Sequence, residues 1–136
     1  EGVSEVLYTM KEACNQVEMN YEALKFYCRE GLVPNVKRDE NNFRLFDERD
    51  IAWIKGVQCL RKCGMGIREI KEYMAYCLQG QESIPQRKDM LENTRQKLEQ
   101  KILELQENLK YIESKQKYYD DVLAGRIRYT SNLIDV

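Results

Sequence analysis

Two cysteines, Cys59 and Cys63, lie four residues apart in the stretch "IAWIKGVQCLRKCGMGI", whose composition suits a helix. Thiols at this spacing could bind a metal, form a disulfide, react with an electrophile or an oxidant, or simply pack. Side chains four apart in a helix point in parallel, so a disulfide would distort the backbone. A metal pair lacks partner ligands, because the chain has no histidine and no cysteine after Cys77. A reactive thiol and ordinary packing remain as interpretations.

The composition limits the function classes. The 136 residues are 43% hydrophobic and 33% charged, which is typical of one domain or of a small domain with an appendage. Five cysteines without close paired spacing indicate reduced thiols, and no apolar run could span a membrane, so a cytoplasmic location is predicted. The lack of histidine and of a glycine-rich phosphate loop argues against an enzyme. With a net charge of −1, any nucleic-acid surface must come from local clustering of cations.

Capping signals predict two short helices near the start of the chain. Thr9 and Glu12 form a capping-box pattern at the first helix. Asn20 can cap a second helix that runs to Glu30 and ends at Gly31. The first helix has one apolar face, made by Met10, Ala13, Cys14 and Val17. Two short helices joined by a tight turn are typical of a helix-turn-helix.

The next segment predicts a hairpin followed by a helix pair. In "NVKRDENNFRLF", residues 35–46, strand-forming residues flank the turn residues "DENN", as in the wing of a winged helix-turn-helix. Asp47 can cap a third helix, which runs to about Lys62, and Gly66 can begin a fourth. Small residues form a stripe beside the apolar face of the third helix, at Ala52, Gly56, Cys59 and Cys63. Such a stripe would let a second helix approach closely.

A long helix is predicted from Gln86 to Ala124, because this segment contains no glycine or proline. Its apolar residues repeat in alternating three- and four-residue steps, which defines a coiled-coil seam. The predicted seam comprises Leu91, Leu98, Ile102, Leu105, Leu109, Ile112, Tyr119 and Leu123. A helix of about 60 Å cannot bury this seam on a small winged domain, so we expect a homodimer. The alternative, a helical hairpin, lacks a turn signal.

Two polar seam positions favour an antiparallel pair. Arg95 and Gln116 both occupy a-type positions, and a parallel pair would set Arg95 against a second Arg95. The sequence thus predicts a mainly α protein with a DNA-binding domain at residues 1–80, a linker at 81–85, a dimerisation helix at 86–124 and a tail at 125–136.

Four linked motifs resemble one family of proteins. "YTMKEA", "ALKFYCREGLVP", "NNFRLFDERDI" and "CLRKCGMGIREIKEYM", in this order over about residues 8–80, resemble the MerR family of bacterial transcription regulators. The stretch "WIKGVQCLRKCGM" resembles the thiol-based, aldehyde- and electrophile-responsive branch (AdhR- and NmlR-like regulators), whose cysteine matches Cys59. Cys63 is a departure from that branch, and Glu18 stands where the family often has glycine.

The resemblance implies a homodimer bound to double-stranded, pseudo-palindromic promoter DNA, which it kinks and untwists for RNA polymerase in a stress response. Neither a cofactor nor a metal is expected. The predicted DNA contacts are Lys11, Asn20, Tyr21, Lys25, Tyr27, Lys37, Arg38, Phe43 and Arg44, with the second helix in the major groove. Tyr27 is expected at a phosphate by resemblance, although burial beside Leu24 is an alternative.

Alternatives remain open for the signal and for the function. Cys59 is predicted to react with an aldehyde, electrophile or oxidant, with Cys63 as a second candidate; the alternative is a small-ligand inducer with structural cysteines. Cations at Lys55, Arg61 and Lys62 favour thiolate chemistry nearby. The dozen residues after the coil are too few for a large ligand domain. A structural coiled-coil adaptor is the other alternative, but it would not need a basic wing.

Overall fold

The computed structural model describes residues 5–136, and the first four residues of the predicted domain 1–80 lie outside this range. The elements are β1 (Tyr8–Thr9), α1 (Met10–Val17), α2 (Tyr21–Arg29), β2 (Lys37–Arg38), β3 (Arg44–Phe46), α3 (Glu48–Lys62), α4 (Ile67–Gln79), a short 3-10 helix (Gln81–Ser83) and α5 (Ile84–Leu123). The described chain divides into two compact units, one ending at Thr94 and the other covering Arg95–Val136. The mainly helical winged helix-turn-helix that the sequence predicted is confirmed.

The helices of the first unit begin where the capping signals predicted. Thr9 accepts a hydrogen bond from the Glu12 amide at 3.2 Å, and the Glu12 carboxylate accepts one from the Thr9 amide at 2.9 Å. Asn20 caps α2 in the same way, with its side chain accepting from the Ala23 amide at 2.8 Å. These bonds satisfy amides that the first turn of a helix leaves without partners.

The turn between α1 and α2 needs a left-handed residue. Glu18 has φ 56° and ψ 46°, and its amide donates to the Cys14 carbonyl. This conformation explains why glycine is common here in the family, because a Cβ costs roughly 1–2 kcal/mol in the left-handed region. Gly31, which follows α2 with φ 75°, has the same sign of φ without that cost.

A three-stranded antiparallel sheet has the order β1-β3-β2. Lys37 is opposite Leu45 and Arg38 is opposite Arg44, which forms the predicted wing hairpin. The strand β1 was not predicted; Tyr8 pairs with Phe46, and this pairing joins the wing to the start of α1.

One hydrophobic core holds the helices and the wing of the first unit together. It includes fully buried side chains from α2, β3, α3 and α4: Leu24, Phe46, Ile54 and Ile70. Specific hydrogen bonds add to this packing. The Trp53 indole donates to the Leu32 carbonyl at 2.6 Å, and the side-chain amide of Gln58 donates from Nε2 to the Val17 carbonyl at 2.9 Å.

The segment predicted as a linker is ordered by its own hydrogen bonds. The 3-10 helix follows Gly80, and α5 starts at Ile84, two residues before the predicted Gln86. Ser83 is buried; its hydroxyl proton is shared between the carbonyls of Tyr76 and Gly80, and its oxygen accepts a bond from Arg87 Nε at 3.1 Å. The predicted domain boundaries otherwise remain a prediction.

The second unit consists of the C-terminal part of α5 and the tail. The Tyr118 hydroxyl accepts a bond from the Thr130 amide at 2.8 Å and donates to the Thr130 carbonyl at 3.1 Å, so the tail folds back beside the end of the helix. Arg126 pairs with Asp121 at 2.8 Å, and this pair together with Lys117 lowers the pKa of Asp121. No helix within residues 5–136 is long and apolar enough to cross a membrane.

Candidate nucleic-acid interface

Side chains from α1, α2 and the wing line one concave surface of the first unit. It encloses about 270 Å³ and is flanked by apolar and cationic groups. Five of the predicted DNA contacts line it, namely Lys11, Tyr21, Arg38, Phe43 and Arg44. The fold thus brings together residues that are more than thirty positions apart in sequence. We call this surface the wing–helix groove.

Helix α2 also presents a row of side chains on its outer face, which begins with the groove residue Tyr21. Leu24 and Tyr27 enter the core, so the helical period turns Tyr21, Lys25 and Phe26 outward. Tyr21 is 50% exposed and Phe26 is 45% exposed. The Lys25 ammonium lies 5.6 Å from the centroid of the Tyr21 ring, where a cation–π contact restrains both side chains.

The wing loop is held by hydrogen bonds around Asp39. Its carboxylate accepts bonds from the amides of Asn41 and Phe43, both at 2.9 Å. Asn42 adopts a left-handed conformation with φ 64°, which asparagine tolerates better than most residues. Arg38 Nη1 donates to the Asn42 carbonyl at 2.8 Å. The Phe43 ring, 69% exposed, projects from the tip of this rigid turn.

The two neighbouring cations of β2 have different surroundings. Alternate residues of a strand face opposite sides, so Arg38 faces the groove while Lys37 faces α3. The Lys37 ammonium contacts Asp47 Oδ2 at 2.7 Å, Asp50 Oδ2 at 3.2 Å and the Asn35 carbonyl at 3.1 Å. Lys37 was predicted to contact DNA, but the structure engages it in an ion pair on the other side of the wing.

The two aspartates that contact Lys37 are buried, and each carboxylate accepts a hydrogen bond from the backbone amide of the other residue. Asp47 is 7% exposed and Asp50 is 4% exposed. Asp47 Oδ1 accepts from the Asp50 amide at 2.8 Å, and Asp50 Oδ2 accepts from the Asp47 amide at 3.0 Å. The hydrogen bond from Lys37 is the main cause that lowers the pKa of Asp47 to about 2, and the same bond raises the pKa of Lys37.

Two other predicted DNA contacts, Tyr27 and Asn20, have side chains that bond or pack within the protein itself. Tyr27 is only 9% exposed and belongs to the core, which matches the burial alternative that the sequence left open. The side-chain oxygen of Asn20 is occupied by its capping bond to Ala23, although the residue is exposed at the start of α2. Phe26 was not predicted as a contact, yet its exposure on the face of α2 away from Leu24 and Tyr27 could have been inferred from the helical period.

Cys28 lies at the junction of α2 and the wing. Burial raises the pKa of its thiol, and the nearby guanidiniums of Arg44 and Arg38 oppose that rise. This cysteine stands where the family commonly has an acidic residue.

The small-residue stripe of α3 lies at the surface of the first unit. Ala52, Gly56 and Cys59 are exposed, and Cys63 is half-buried. A Cβ at Gly56 would meet no atom within 4 Å. All five cysteines are free, and residues 5–136 contain no cluster of histidine, cysteine or carboxylate side chains that could hold a metal.

Fold and groove together define a winged helix-turn-helix protein that binds DNA. A family profile for MerR HTH regulatory proteins matches residues 8–77, and a second profile, for the MerR DNA-binding region, matches residues 51–114. The chain therefore belongs to the MerR family of transcription regulators.

Individual relatives agree with this assignment. An uncharacterised HTH-type transcriptional regulator of Haemophilus influenzae is 33% identical over 86% of this chain and 87% of its own length. The HTH-type transcriptional regulator AdhR of Bacillus subtilis is 35% identical over 64% of this chain and 62% of its own.

A solved structure connects the fold to DNA. The crystal structure of HiNmlR, a MerR family regulator lacking the sensor domain and bound to promoter DNA, is 33% identical, covers 88% of this chain and 90% of its own, and superposes with a TM-score of 0.74. A regulator from Listeria monocytogenes gives a TM-score of 0.78 at 28% identity, covering 87% of this chain and 89% of its own. The predicted AdhR- and NmlR-like branch is confirmed, and so is the prediction that the chain is a transcription regulator and not an enzyme.

Proposed function

We propose that two copies of this regulator bind one pseudo-palindromic promoter site and distort it for RNA polymerase when a signal reaches the dimer. The convergence of Lys11, Tyr21, Arg38, Phe43 and Arg44 in one groove supports the DNA-binding mode. Helix α2 enters the major groove, with Tyr21 and Lys25 nearest the bases, while Arg44, Arg38 and Phe43 reach the backbone and the minor groove. Lys11 adds a phosphate contact at the start of α1.

Binding to selected DNA tests this mode. Duplexes enriched from a random pool by the intact protein would be used in mobility shifts over a range of salt concentrations. Arg44→Gln should weaken binding and make the negative slope of log K against log salt less steep by about 1.8, because each of the two subunits loses one phosphate contact. Lys101→Gln, on α5, is the matched control and should leave the slope unchanged. If the wild type enriches no duplex at low salt, or if both substitutions act alike, this mode is wrong.

The proposed dimer uses the exposed seam of α5. In the single chain, Ile102, Leu105, Leu109 and Ile112 are 51–62% exposed, although their spacing is that of a buried coiled-coil stripe. An apolar row of this length in water favours association with a second copy, which removes it from solvent.

The two helices are proposed to run antiparallel. Arg95 pairs with Glu99 on its own helix at 2.9 Å. In an antiparallel pair centred near Leu105, Arg95 lies near the partner subunit's Gln116, which avoids a contact between like charges. Cysteines introduced at positions 95 and 116 should cross-link to each other between subunits. Efficient 95-to-95 cross-linking would establish a parallel pair instead.

Promoter distortion is proposed as the regulatory output. Bending and untwisting a site of this size costs on the order of 1–6 kcal/mol, so the contacts made by both subunits must offset that cost. Fluorophores at the ends of a selected duplex should move closer when the activated protein binds. An unchanged distance, under conditions that alter transcription, would contradict this step.

Cys59 is the proposed sensor of an aldehyde, electrophile or oxidant. It is exposed on α3 in a stripe whose space beside Gly56 is open, so the partner's α5 can approach closely there. An adduct on Cys59 would add bulk at this contact and shift the dimer between two conformations. The competing proposal is a small-ligand inducer, with all five cysteines structural.

Mass spectrometry separates these two proposals. The native dimer would be treated with formaldehyde, and adducts would be mapped at Cys59 and Cys63 while transcription is followed in vitro. We expect an adduct at Cys59 and loss of the response in Cys59→Ser, with Cys63→Ser as the matched control that retains it. A response that persists in Cys59→Ser would favour the small-ligand alternative.

A further inference from the structure

We propose that Lys37 is a positioning residue that clamps the wing onto α3 and so holds the wing–helix groove in its DNA-binding shape. This inference rests on the proposed DNA-binding mode. It assigns Lys37 a role other than the DNA contact that its place beside Arg38 in sequence predicted. The name "clamp" refers below to the side chains of Lys37, Asp47 and Asp50.

The first observation is the number of partners that the ammonium has. Three oxygens lie within 3.2 Å of Lys37 Nζ: Oδ2 of Asp47, Oδ2 of Asp50 and the Asn35 carbonyl. An ammonium has three donors, so this arrangement uses its full capacity. A phosphate contact would require Lys37 to leave two buried carboxylates without their cation, which is costly for groups shielded from water.

The second observation is where the clamp attaches. Asp47 is the N-cap of α3 and lies directly after β3, while Lys37 belongs to β2 at the outer edge of the sheet. The wing strands are only two and three residues long, so few ladder bonds hold β2 in place. The clamp therefore ties the edge strand to a helix whose side chains Ile51 and Ile54 are fixed in the core.

The third observation is that the two cations of β2, Lys37 and Arg38, face opposite sides of the sheet. Arg38 follows Lys37 and therefore faces the opposite side, in the groove, with Arg44 directly across the ladder. Any rotation of β2 that released Lys37 would also move Arg38 away from Arg44. A fixed Lys37 thus sets the position of the cations that are proposed to meet the phosphates.

Asp47→Asn should change the affinity for DNA in opposite directions depending on whether Lys37 contacts phosphate or positions the wing. Asparagine can still cap α3 and Asp50 still faces the ammonium, so the fold is retained. If Lys37 bound phosphate, removal of Asp47's charge would release it and strengthen DNA binding. If the clamp positions the wing, binding to the selected duplex should weaken by about tenfold, the order expected when one or two wing residues must be ordered again on binding.

Three further variants complete the test. Glu40→Gln removes a carboxylate from the exposed wing loop outside the clamp, and it should bind slightly more tightly through reduced repulsion alone. Lys37→Gln should weaken binding by about tenfold without changing the salt slope, whereas Arg38→Gln should make that slope less steep by about 1.8, the loss of one phosphate contact in each subunit. Tighter binding by Asp47→Asn, a slope reduced in Lys37→Gln, or wild-type affinity in both clamp variants would each overturn the proposal.

A measurement without DNA keeps this proposal separate from the proposed function. Hydrogen exchange in the free protein should accelerate at the β2 and β3 amides of Asp47→Asn, with the α1 and α2 amides unchanged. Unchanged exchange in the wing would refute the clamp even if DNA binding were established. Faster exchange in a protein that binds no duplex would leave the clamp standing and reject the proposed DNA-binding mode.

Discussion

The two units of the molecule differ in how far they bury their own apolar residues. Up to Thr94, apolar side chains from two of the three strands and from several helices meet in one core, and ion pairs and capping bonds lie at its edges. In the second unit, the apolar row on α5 is more than half exposed from Ile102 onward within the single chain, as at Leu105 and Leu109. The first unit therefore has an apolar core of its own, whereas the second unit leaves an apolar row that is available for the proposed association with a second copy. This difference predicts that mutations in the two units fail in different ways.

The largest effect is expected in the core of the first unit. Phe46 is fully buried on β3, where it pairs with Tyr8. Phe46→Ala should lower the free energy of unfolding by about 3–5 kcal/mol, because it removes a large apolar side chain and leaves a cavity. Urea denaturation followed by circular dichroism measures this loss. A loss below 1 kcal/mol would show that the core does not depend on the wing.

A slightly smaller effect is expected at the α5 seam, where the quantity that changes is the affinity between two chains and not the free energy of unfolding. Leu105→Glu should weaken dimerisation by about a hundredfold, which equals about 2.7 kcal/mol, because a charge replaces an apolar seam residue in each copy. Leu103 provides a matched control: it is equally apolar and 56% exposed, but it lies off the seam. Sedimentation equilibrium should show monomers for Leu105→Glu and dimers for Leu103→Glu. Equal behaviour of both variants would remove the seam as the association surface.

The clamp contributes a pH-dependent share of the first unit's stability. The pKa of Asp47 falls from 3.8 to about 2 on folding, so its contribution is complete above about pH 4 and is lost as the pH falls towards 2. Wild type should exceed Asp47→Asn in stability by about 2 kcal/mol near neutral pH, should lose most of that excess by about pH 2 and should match the variant below it. Denaturant titrations at several pH values measure the difference. A difference that does not change with pH would contradict this assignment.

The smallest effect is expected in the second unit, at the tail. The Tyr118 hydroxyl bonds to the side-chain hydroxyl, the amide and the carbonyl of Thr130, and the hydrogen bonds with the Thr130 side chain and backbone lower the pKa of Tyr118. Tyr118→Phe should speed hydrogen exchange of the tail amides and leave the melting temperature of the first unit unchanged, because the residue lies outside that unit. Exchange no faster than in the wild type would mean that apolar packing, and not this hydroxyl, retains the tail.

The same contrast explains which parts of the fold could be predicted from the sequence. Capping chemistry is local: Thr9, Asn20 and Asp47 each accept a bond from an amide three residues away, and the starts of these three helices were predicted correctly. The strand β1 was missed because its partner, Phe46, is 38 positions away and no local pattern marks a two-residue strand. Periodicity defined the seam of α5, but a single chain does not reveal which surface covers it.

The candidate site was predictable in part for the same reason. Wing residues such as Phe43 and Arg44 follow from family motifs, and they do line the groove. Lys37 and Arg38 look equivalent in sequence, and only the alternation of the strand against α3 separates an ion-paired lysine from a groove-facing arginine. Tyr27 shows the reverse case, since a motif tyrosine proved to be mostly buried.

The stoichiometry of the DNA complex tests the proposed dimeric regulator most directly. Native mass spectrometry of the intact protein with one selected duplex should give two chains per duplex, and Leu105→Glu should lose both the second chain and most of the affinity. A complex of one chain per duplex, with affinity unchanged by Leu105→Glu, would contradict the proposal that the exposed seam of the second unit pairs two DNA-binding units on one promoter.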